Sequence, residues 1–165
     1  MIRERGCGMV LYEIRGDDLK ALMNHLLKNS TFDKFQVRGV EVCTYTKMSL
    51  SGIIEKSYYP ESERKGISRN YCLWSELREY VFEWIRGERQ PKIIKIIFSL
   101  DEEVMSGIHA NAAAMFLNLN FEEGIVKFTT ATAQKNFEMD KSLDNSWDDM
   151  VRKFFQKHFP GVNPT

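Results

Sequence analysis

The 165-residue chain lacks the motifs that usually identify an active site. Its three cysteines, Cys7, Cys43 and Cys72, form no C-x-x-C pair, and its three histidines have no second ligand at metal-binding spacing. It contains no G-x-S-x-G motif, no P-loop and no G-x-G-x-x-G motif. These patterns are typical of zinc sites, α/β-hydrolases and nucleotide-binding domains. The sequence therefore predicts no metal or other cofactor and favours a function other than catalysis.

An excess of charge of either sign is also missing. Lysine and arginine together number 23, as do aspartate and glutamate, so the net charge is zero. Proteins that bind nucleic acid through its phosphates usually have a basic surface, so neutrality weakens that class without excluding it. Neutrality also leaves little mutual repulsion. With Phe82 and Phe155 lying off the main apolar faces of their predicted helices, it predicts a homodimer.

Long hydrophobic runs are absent as well. No stretch approaches the roughly 18 apolar residues of a membrane-spanning helix. The charged N-terminus is not followed by the apolar segment of a secretory signal. The odd number of irregularly spaced cysteines indicates reduced thiols. We therefore expect a cytoplasmic protein with no membrane association.

The composition is that of one globular domain. Hydrophobic residues make up 43% of the chain and charged residues 28%. A chain of this length can bury a core without a metal or a disulfide. We predict a flexible N-terminal extension over residues 1–8, a single domain over 9–159 and a C-terminal tail over 160–165.

Hydrophobic periodicity predicts three amphipathic helices, over residues 17–29, 73–86 and 142–158, with Asp17 as the first N-cap. The predicted apolar faces are Leu19, Leu22, Met23, Leu26 and Leu27 in the first helix, Leu77, Val81, Trp84 and Ile85 in the second, and Leu143, Trp147, Met150, Val151 and Phe154 in the third.

Alternation of apolar and polar residues predicts the strands. The pattern covers residues 10–14, two strands between 35 and 55, residues 92–100, and a hairpin over 115–132, with a short edge strand expected at 137–139. Gly39 and Gly52 indicate bulges or close backbone approach. Ile93 and Ile97 give the strand at 92–100 a second apolar face, which predicts cover on both sides.

Together these elements predict an α+β fold. We expect a curved antiparallel sheet of about six to seven strands with the three helices packed mainly on one face. The predicted order is β-α-β-β-α-β-β-β-α. We expect the core to include Leu26, Trp84, Ile96, Leu119, Phe128 and Trp147.

Residues 57–72 form the long connection without periodicity, and connections of this length are usually functional or disordered. This segment combines planar and cationic side chains, namely Tyr58, Tyr59, Arg64, Lys65, Arg69 and Tyr71. The mixture suits a protein partner anchored by tyrosine and arginine, or single-stranded nucleic acid. A surface loop pinned by its own aromatic residues is the structural alternative. A small enzyme with its site around this loop is the functional alternative.

Two pairs of adjacent carboxylates remain, at Glu122 and Glu123 and at Asp148 and Asp149. Catalytic carboxylates lie on opposing walls of a cleft, which adjacent residues do not provide. We therefore expect both pairs to be solvated.

The span from Met9 to His158 resembles an uncharacterised bacterial family, of the kind described as a domain of unknown function. The resemblance is carried by the opening strand and helix, Trp74-Ser75-Glu76-Leu77-Arg78, the MFLNLNFEEGIVKFTTAT hairpin and the closing DKSL…W…M…FF helix. It implies a shared fold and no activity, ligand or site residue.

The order of elements is also similar to that of a single domain of a DNA sliding clamp, in which a strand–helix–strands unit is repeated. The resemblance implies that the helices at 17–29 and 73–86 lie side by side on one face of the sheet and contact DNA. The residues then facing DNA would be Lys20, Asn24, Lys28, Arg78 and Arg86.

Overall fold

The computed structural model describes residues 10–165 in full and, before them, the backbone of Ile2–Glu4 alone. The rest of the extension predicted at residues 1–8 lies outside the described residues. Ile2–Glu4 forms a short strand that pairs with residues 131–133.

In the part of the chain that the structure describes, seven antiparallel strands form one open sheet. They are β1 (Ile2–Glu4), β2 (Tyr12–Ile14), β3 (Gln36–Cys43), β4 (Lys47–Ser51), β5 (Ile93–Ser99), β6 (Ala112–Glu122) and β7 (Ile125–Gln134). The order across the sheet is β1-β7-β6-β5-β3-β4, and β2 also pairs with β7. The α+β prediction is confirmed, although Phe137 and Met139, in the expected additional edge strand, are exposed and belong to no strand.

The helices are α1 (Asp17–Leu27), α2 (Glu61–Arg64), α3 (Trp74–Ile85), α4 (Glu102–Ile108) and α5 (Ser142–His158), with a 3-10 turn at Lys56–Tyr58. The three long helices, α1, α3 and α5, are those that the periodicity predicts. Gly16 rather than Asp17 precedes α1 as its cap, with a φ of 63° that glycine adopts without strain. Within the described residues, no helix combines the length and apolarity needed to span a bilayer.

One hydrophobic core lies between the sheet and the three long helices. Strand register aligns Val40, Ile96, Leu119, Phe128 and Tyr12 in one row across five strands, and all five are buried. The Tyr12 ring stacks on the ring of Phe155 from α5, with centroids 4.0 Å apart. This burial accounts for most of the fold's stabilisation.

The opposite face of the sheet corrects one prediction. Ile97 was expected to be covered, but it is 41% exposed and its cross-strand neighbours are Gly39 and Asn118. Lys95, two residues earlier on the same face, is also exposed. The predicted cover on both sides of β5 is therefore wrong, because polar and small residues surround Ile97 on this face.

Helix α5 is rotated relative to its predicted orientation. Its buried residues are Leu143, Trp147, Asp148, Val151 and Phe155, whereas Met150 is 38% exposed and Phe154 is half-buried. The expectation that Phe155 lies off the core is wrong, and the homodimer prediction loses that support. Phe82, the other residue behind that prediction, is half-buried against the core.

Hydrogen bonds between side chains of β7 and α5 account for the orientation of the helix. Thr130 and Thr132 on β7 face the helix, and their hydroxyls donate to the carboxylates of Asp148 and Asp144. The Thr130–Asp148 bond measures 2.6 Å between oxygens, and both residues are buried. Asp148 was predicted to be solvated. It is instead part of the helix–sheet contact, because a buried carboxylate is tolerated where it is hydrogen-bonded.

Replacing Thr130 by valine should lower the free energy of unfolding by about 1–3 kcal/mol, since the buried carboxylate of Asp148 loses a donor while the volume is unchanged. Urea denaturation measures the change. Thr129→Val is the matched control, because its side chain lies on the opposite face and is only half-buried. Equal effects of the two substitutions would contradict a structural role for the Thr130–Asp148 bond.

Candidate functional site

The two ends of the 57–72 segment are hydrogen-bonded to each other and, through Cys72, to β3. Ile54 N–H donates to the Asn70 carbonyl at 2.9 Å, Cys72 N–H to the Gly52 carbonyl at 2.7 Å, and Val37 N–H to the Cys72 carbonyl at 2.8 Å. Between these anchors the chain forms the 3-10 turn and α2. The segment was predicted as an aperiodic loop, and its short helical turns were missed because neither is long enough to show a period.

The segment encloses a cleft of about 350 Å³ against the start of α3, which we call the tyrosine cleft. Its lining includes Ile53, Tyr58, Tyr59, Glu63, Arg69 and Cys72. Tyr58 is 83% exposed and Ile53 is 63% exposed. The two tyrosine rings meet edge to face with centroids 5.3 Å apart. The cleft therefore presents apolar and aromatic surface to solvent.

Carboxylates dominate the charge of the tyrosine cleft. Glu55, Glu63 and Glu76 line it, against the single guanidinium of Arg69. Arg69 pairs with Glu76 at 2.8 Å, and this hydrogen bond, with a further one from the Leu73 N–H, lowers the pKa of Glu76. Glu63 forms no ion pair with any residue that the structure describes. The cleft is thus net negative.

The thiol of Cys72 lies in the same cleft. Burial raises its pKa, and the nearby Glu76 carboxylate raises it further. A thiol in this environment stays protonated near neutral pH and is a poor nucleophile. Within the described chain, no group of three or more His, Cys, Asp or Glu residues is arranged to hold a metal ion.

The remaining cations of the segment have different surroundings. Arg64 donates to the carbonyls of Tyr59 at 2.9 Å and Ser57 at 3.4 Å, so it holds the turn together. Lys65 is exposed. Of the three cationic residues that the sequence proposed for binding, Arg64, Lys65 and Arg69, only Arg69 therefore lines the tyrosine cleft.

Tyr71 faces away from the tyrosine cleft. Its ring stacks under the guanidinium of Arg38, 3.8 Å from the ring centroid, and its hydroxyl accepts a hydrogen bond from Arg38 at 2.8 Å. The pair lines a second cleft of about 730 Å³, which lies between residues 68–71 and α4 and which we call the polar cleft. Arg69 lines both clefts.

The predicted DNA-facing surface of α1 and α3 is only partly present. Both helices contribute to the same core and contact each other, and Lys20 and Lys28 are exposed. Arg86 is exposed and pairs with Glu83 at 3.0 Å.

The prediction that Arg78 faces solvent is wrong. Its side chain is 21% exposed, donates to the Asn29 carbonyl at 2.7 Å and lies 3.3 Å from the Asp33 carboxylate. Arg78 joins α3 to the loop after α1, because the acceptors in that loop lie within its reach.

Sequence reasoning missed three of the residues that line these clefts. Gln36 and Arg38 lie in a strand that was read only for its apolar alternation, and Ile53 follows Gly52 outside the predicted loop. Arg38 lies at the register shift between Val37 and Gly39, which turns its side chain toward Tyr71. The glycine at position 39, which predicted a bulge, was the sequence feature that could have pointed to the altered orientation of Arg38.

Comparison with known proteins gives one positive result. No curated protein matches the chain. No solved structure matches it either, so the sliding-clamp resemblance gains no support. A family model matches residues 25–159, from within α1 to the end of α5, and so includes both clefts. On that match, the chain belongs to a family of unknown function, DUF5721.

Proposed function

We propose that the chain is a non-enzymatic binding protein that docks a protein partner in the tyrosine cleft. The observation that carries this proposal is the exposure of Tyr58 and Ile53 at the mouth of a cleft whose backbone is hydrogen-bonded to the sheet. Exposed aromatic side chains on a preorganised backbone are typical anchors of protein interfaces, because little conformational entropy is lost when they bind.

The charge of the cleft defines the chemistry of the partner. Three carboxylates and one guanidinium line it, and Glu63 forms no ion pair within the described chain. A partner segment that places a lysine or arginine beside an apolar residue satisfies both features. The cation meets Glu63 and the tyrosine faces, while the apolar group covers Ile53.

The titratable groups of the cleft support binding over catalysis. The raised pKa of Cys72 disfavours a thiolate nucleophile, and the lowered pKa of Glu76 disfavours a general acid. A small enzyme built around this segment remains the alternative, and it requires a nucleophile or base other than these two groups. The free thiols of Cys43 and Cys72 support our proposal of a cytoplasmic location.

Selection of a random peptide library on the purified protein tests the proposal. We expect enriched peptides that combine a basic residue with a neighbouring apolar one. Synthetic versions should bind Tyr58→Ala and Glu63→Lys variants at least about tenfold more weakly, as measured by fluorescence polarisation.

Tyr45→Ala is the matched control for this experiment. Tyr45 is 96% exposed in the turn between β3 and β4 and does not line the cleft, so its removal should leave binding unchanged. The proposal fails if no peptide is enriched, or if the enriched peptides bind the Tyr58→Ala and Tyr45→Ala variants equally well.

Contact with nucleic acid through α1 is a second candidate, supported by the exposure of Lys20 and Lys28. Such binding would be indifferent to sequence and steeply salt-dependent, because it rests on counterion release. Anisotropy titration of duplex DNA at about 50 mM salt measures it. Equal binding by wild type and the Lys20→Glu/Lys28→Glu double variant removes this candidate.

Self-association also stays a proposal. With Phe155 buried, it rests on the zero net charge and on exposed apolar side chains such as Tyr80. Light scattering at micromolar concentration tests it, and a mass near 19.3 kDa, that of one chain, ends the proposal.

A further inference from the structure

The polar cleft has two chemically different walls. One wall is formed by the start of β3 and residues 68–71, and it carries Gln36, Arg38 and Arg69. The other is formed by α4 and the residue before it, and it carries Asp101, Glu102 and Glu103. The volume between them, about 730 Å³, lies within the range of small-molecule sites.

Gln36 is the first indication of a ligand. The residue is only 6% exposed, yet its side-chain amide forms no hydrogen bond within the described part of the chain. The amide atoms are not among the fully buried polar atoms that lack a partner, so they open into the polar cleft, where water or a ligand can pair with them. Because Gln36 lines the polar cleft, a molecule bound there would supply the missing donor and acceptor.

Arg38 is the second indication. Its Nε donates to the Ser99 hydroxyl at 3.2 Å and one terminal nitrogen donates to the Tyr71 hydroxyl at 2.8 Å, while the Tyr71 ring holds its plane. It forms no ion pair with any described residue. A guanidinium has five N–H donors, so several are left over. They lie on a group that is already fixed in orientation, and such a group binds a carboxylate with little further loss of entropy.

The carboxylates of the other wall complete the pattern. Asp101 accepts the Glu103 N–H at 3.1 Å, whereas Glu102 and Glu103 are exposed and form no ion pair within the described chain. No ion pair crosses from these residues to Arg38 or Arg69, since the structure pairs Arg69 with Glu76. Opposite charges thus face one cleft without neutralising each other.

We propose that the polar cleft binds a zwitterion that carries a carboxylate and an ammonium group, of the kind presented by a free α-amino acid or by a short peptide. Its carboxylate binds Arg38, its polar atoms pair with the Gln36 amide, and its ammonium group faces Glu102 and Glu103. This site is independent of partner docking in the tyrosine cleft, and among the described lining residues the two clefts share only Arg69.

The test uses the standard L-amino acids and dipeptides as probes, with isothermal titration calorimetry as the measurement. We expect saturable binding of at least one probe below about 10 mM. The C-terminal amide of that probe, which lacks the carboxylate, and its N-acetyl derivative, which lacks the ammonium, should each bind at least about tenfold more weakly. Binding of dipeptides alone would identify a peptide as the source of the ligand, and binding of single amino acids a free metabolite.

Variants of both walls locate the site. Gln36→Leu and Arg38→Lys should each weaken binding of the best probe at least about tenfold. If either fails to fold by circular dichroism, Glu102→Gln/Glu103→Gln on the exposed side of α4 serves the same purpose. It should weaken binding of the zwitterion to about the level of its N-acetyl derivative, because the ammonium group then has no carboxylate to face. Glu122→Gln, on the distant β6–β7 turn, is the control. The proposal is overturned if no probe saturates, or if binding is unchanged in the foldable wall variants.

Discussion

Replacing Trp74 by alanine is expected to lower the free energy of unfolding by about 3–5 kcal/mol. Trp74 opens α3, is fully buried, and packs edge to face on Phe98 with centroids 5.5 Å apart. Its indole N–H donates to the Leu26 carbonyl at 2.7 Å, at the end of α1. The substitution therefore removes a large apolar volume and leaves a backbone acceptor without its donor. Urea denaturation with linear extrapolation measures the change.

The matched control lies on the same helix. Trp84, expected from periodicity to be largely buried, is only half-buried, although it packs against the core. Trp84→Ala should cost clearly less than Trp74→Ala, because part of its ring is already in water and the truncated site can fill with solvent. Equal losses of stability would show that the two tryptophans are equivalent and would contradict the placement of Trp74 in the core.

Gly52→Ala is expected to cost about 3 kcal/mol or more, at the upper end of the usual range for overpacking. A Cβ atom at this position would lie 1.6 Å from the Val37 carbonyl oxygen and 2.5 Å from its carbon. Both atoms belong to the backbone of β3, so no side-chain rotation relieves the clash. The substitution should also separate residues 70–72 from the sheet, because the Gly52 carbonyl accepts the Cys72 N–H. Hydrogen exchange at Cys72 reports that separation directly.

Gly39 provides the control for this substitution. It lies on the adjoining strand, and a Cβ added there would meet only the Leu50 carbonyl oxygen at 3.7 Å, which is ordinary contact. Gly39→Ala should therefore change the free energy of unfolding by no more than about 1 kcal/mol. A comparable loss of stability at both glycines would contradict the close approach of the Val37 backbone to Gly52 as the cause of the larger effect.

The sequence predicted the elements better than their orientations. Periodicity located α1, α3 and α5 because each buries a face that repeats every three or four residues. It misplaced the inward face of α5, since the side chains of Asp144 and Asp148 count as polar in any pattern and yet hydrogen-bond to β7. Hydrogen bonds between side chains far apart in sequence leave no periodic signal.

The candidate sites were likewise predicted only in part from the sequence. The sequence singled out the 57–72 segment because it is an aperiodic run rich in tyrosine and arginine. The structure places part of that segment along a cleft, and its role in binding stays a prediction. The residues from other elements that line the clefts could not be predicted from the sequence. The polar cleft depends on Gln36 and Arg38, whose positions follow from a register shift in β3 and from the packing of α4 beside β6. Both depend on contacts between residues that are far apart in the sequence, so a sequence pattern does not reveal them.

The pairing of β2 with β7 also has a consequence for folding during synthesis. Tyr12 and Ile14 belong to one of the first strands made, but their partners Phe128 and Val126 lie in the last strand of the sheet. Until β7 has left the ribosome, the residues of β2 have no neighbouring strand with which to pair. The β6–β7 hairpin, closed by Glu123 and Gly124, can form locally and within microseconds once it emerges. Recruitment of the N-terminal strand is then the slow, long-range step. A nascent chain stalled before Ile125 should therefore be sensitive to proteases around β2, and this unpaired segment should be bound by chaperones.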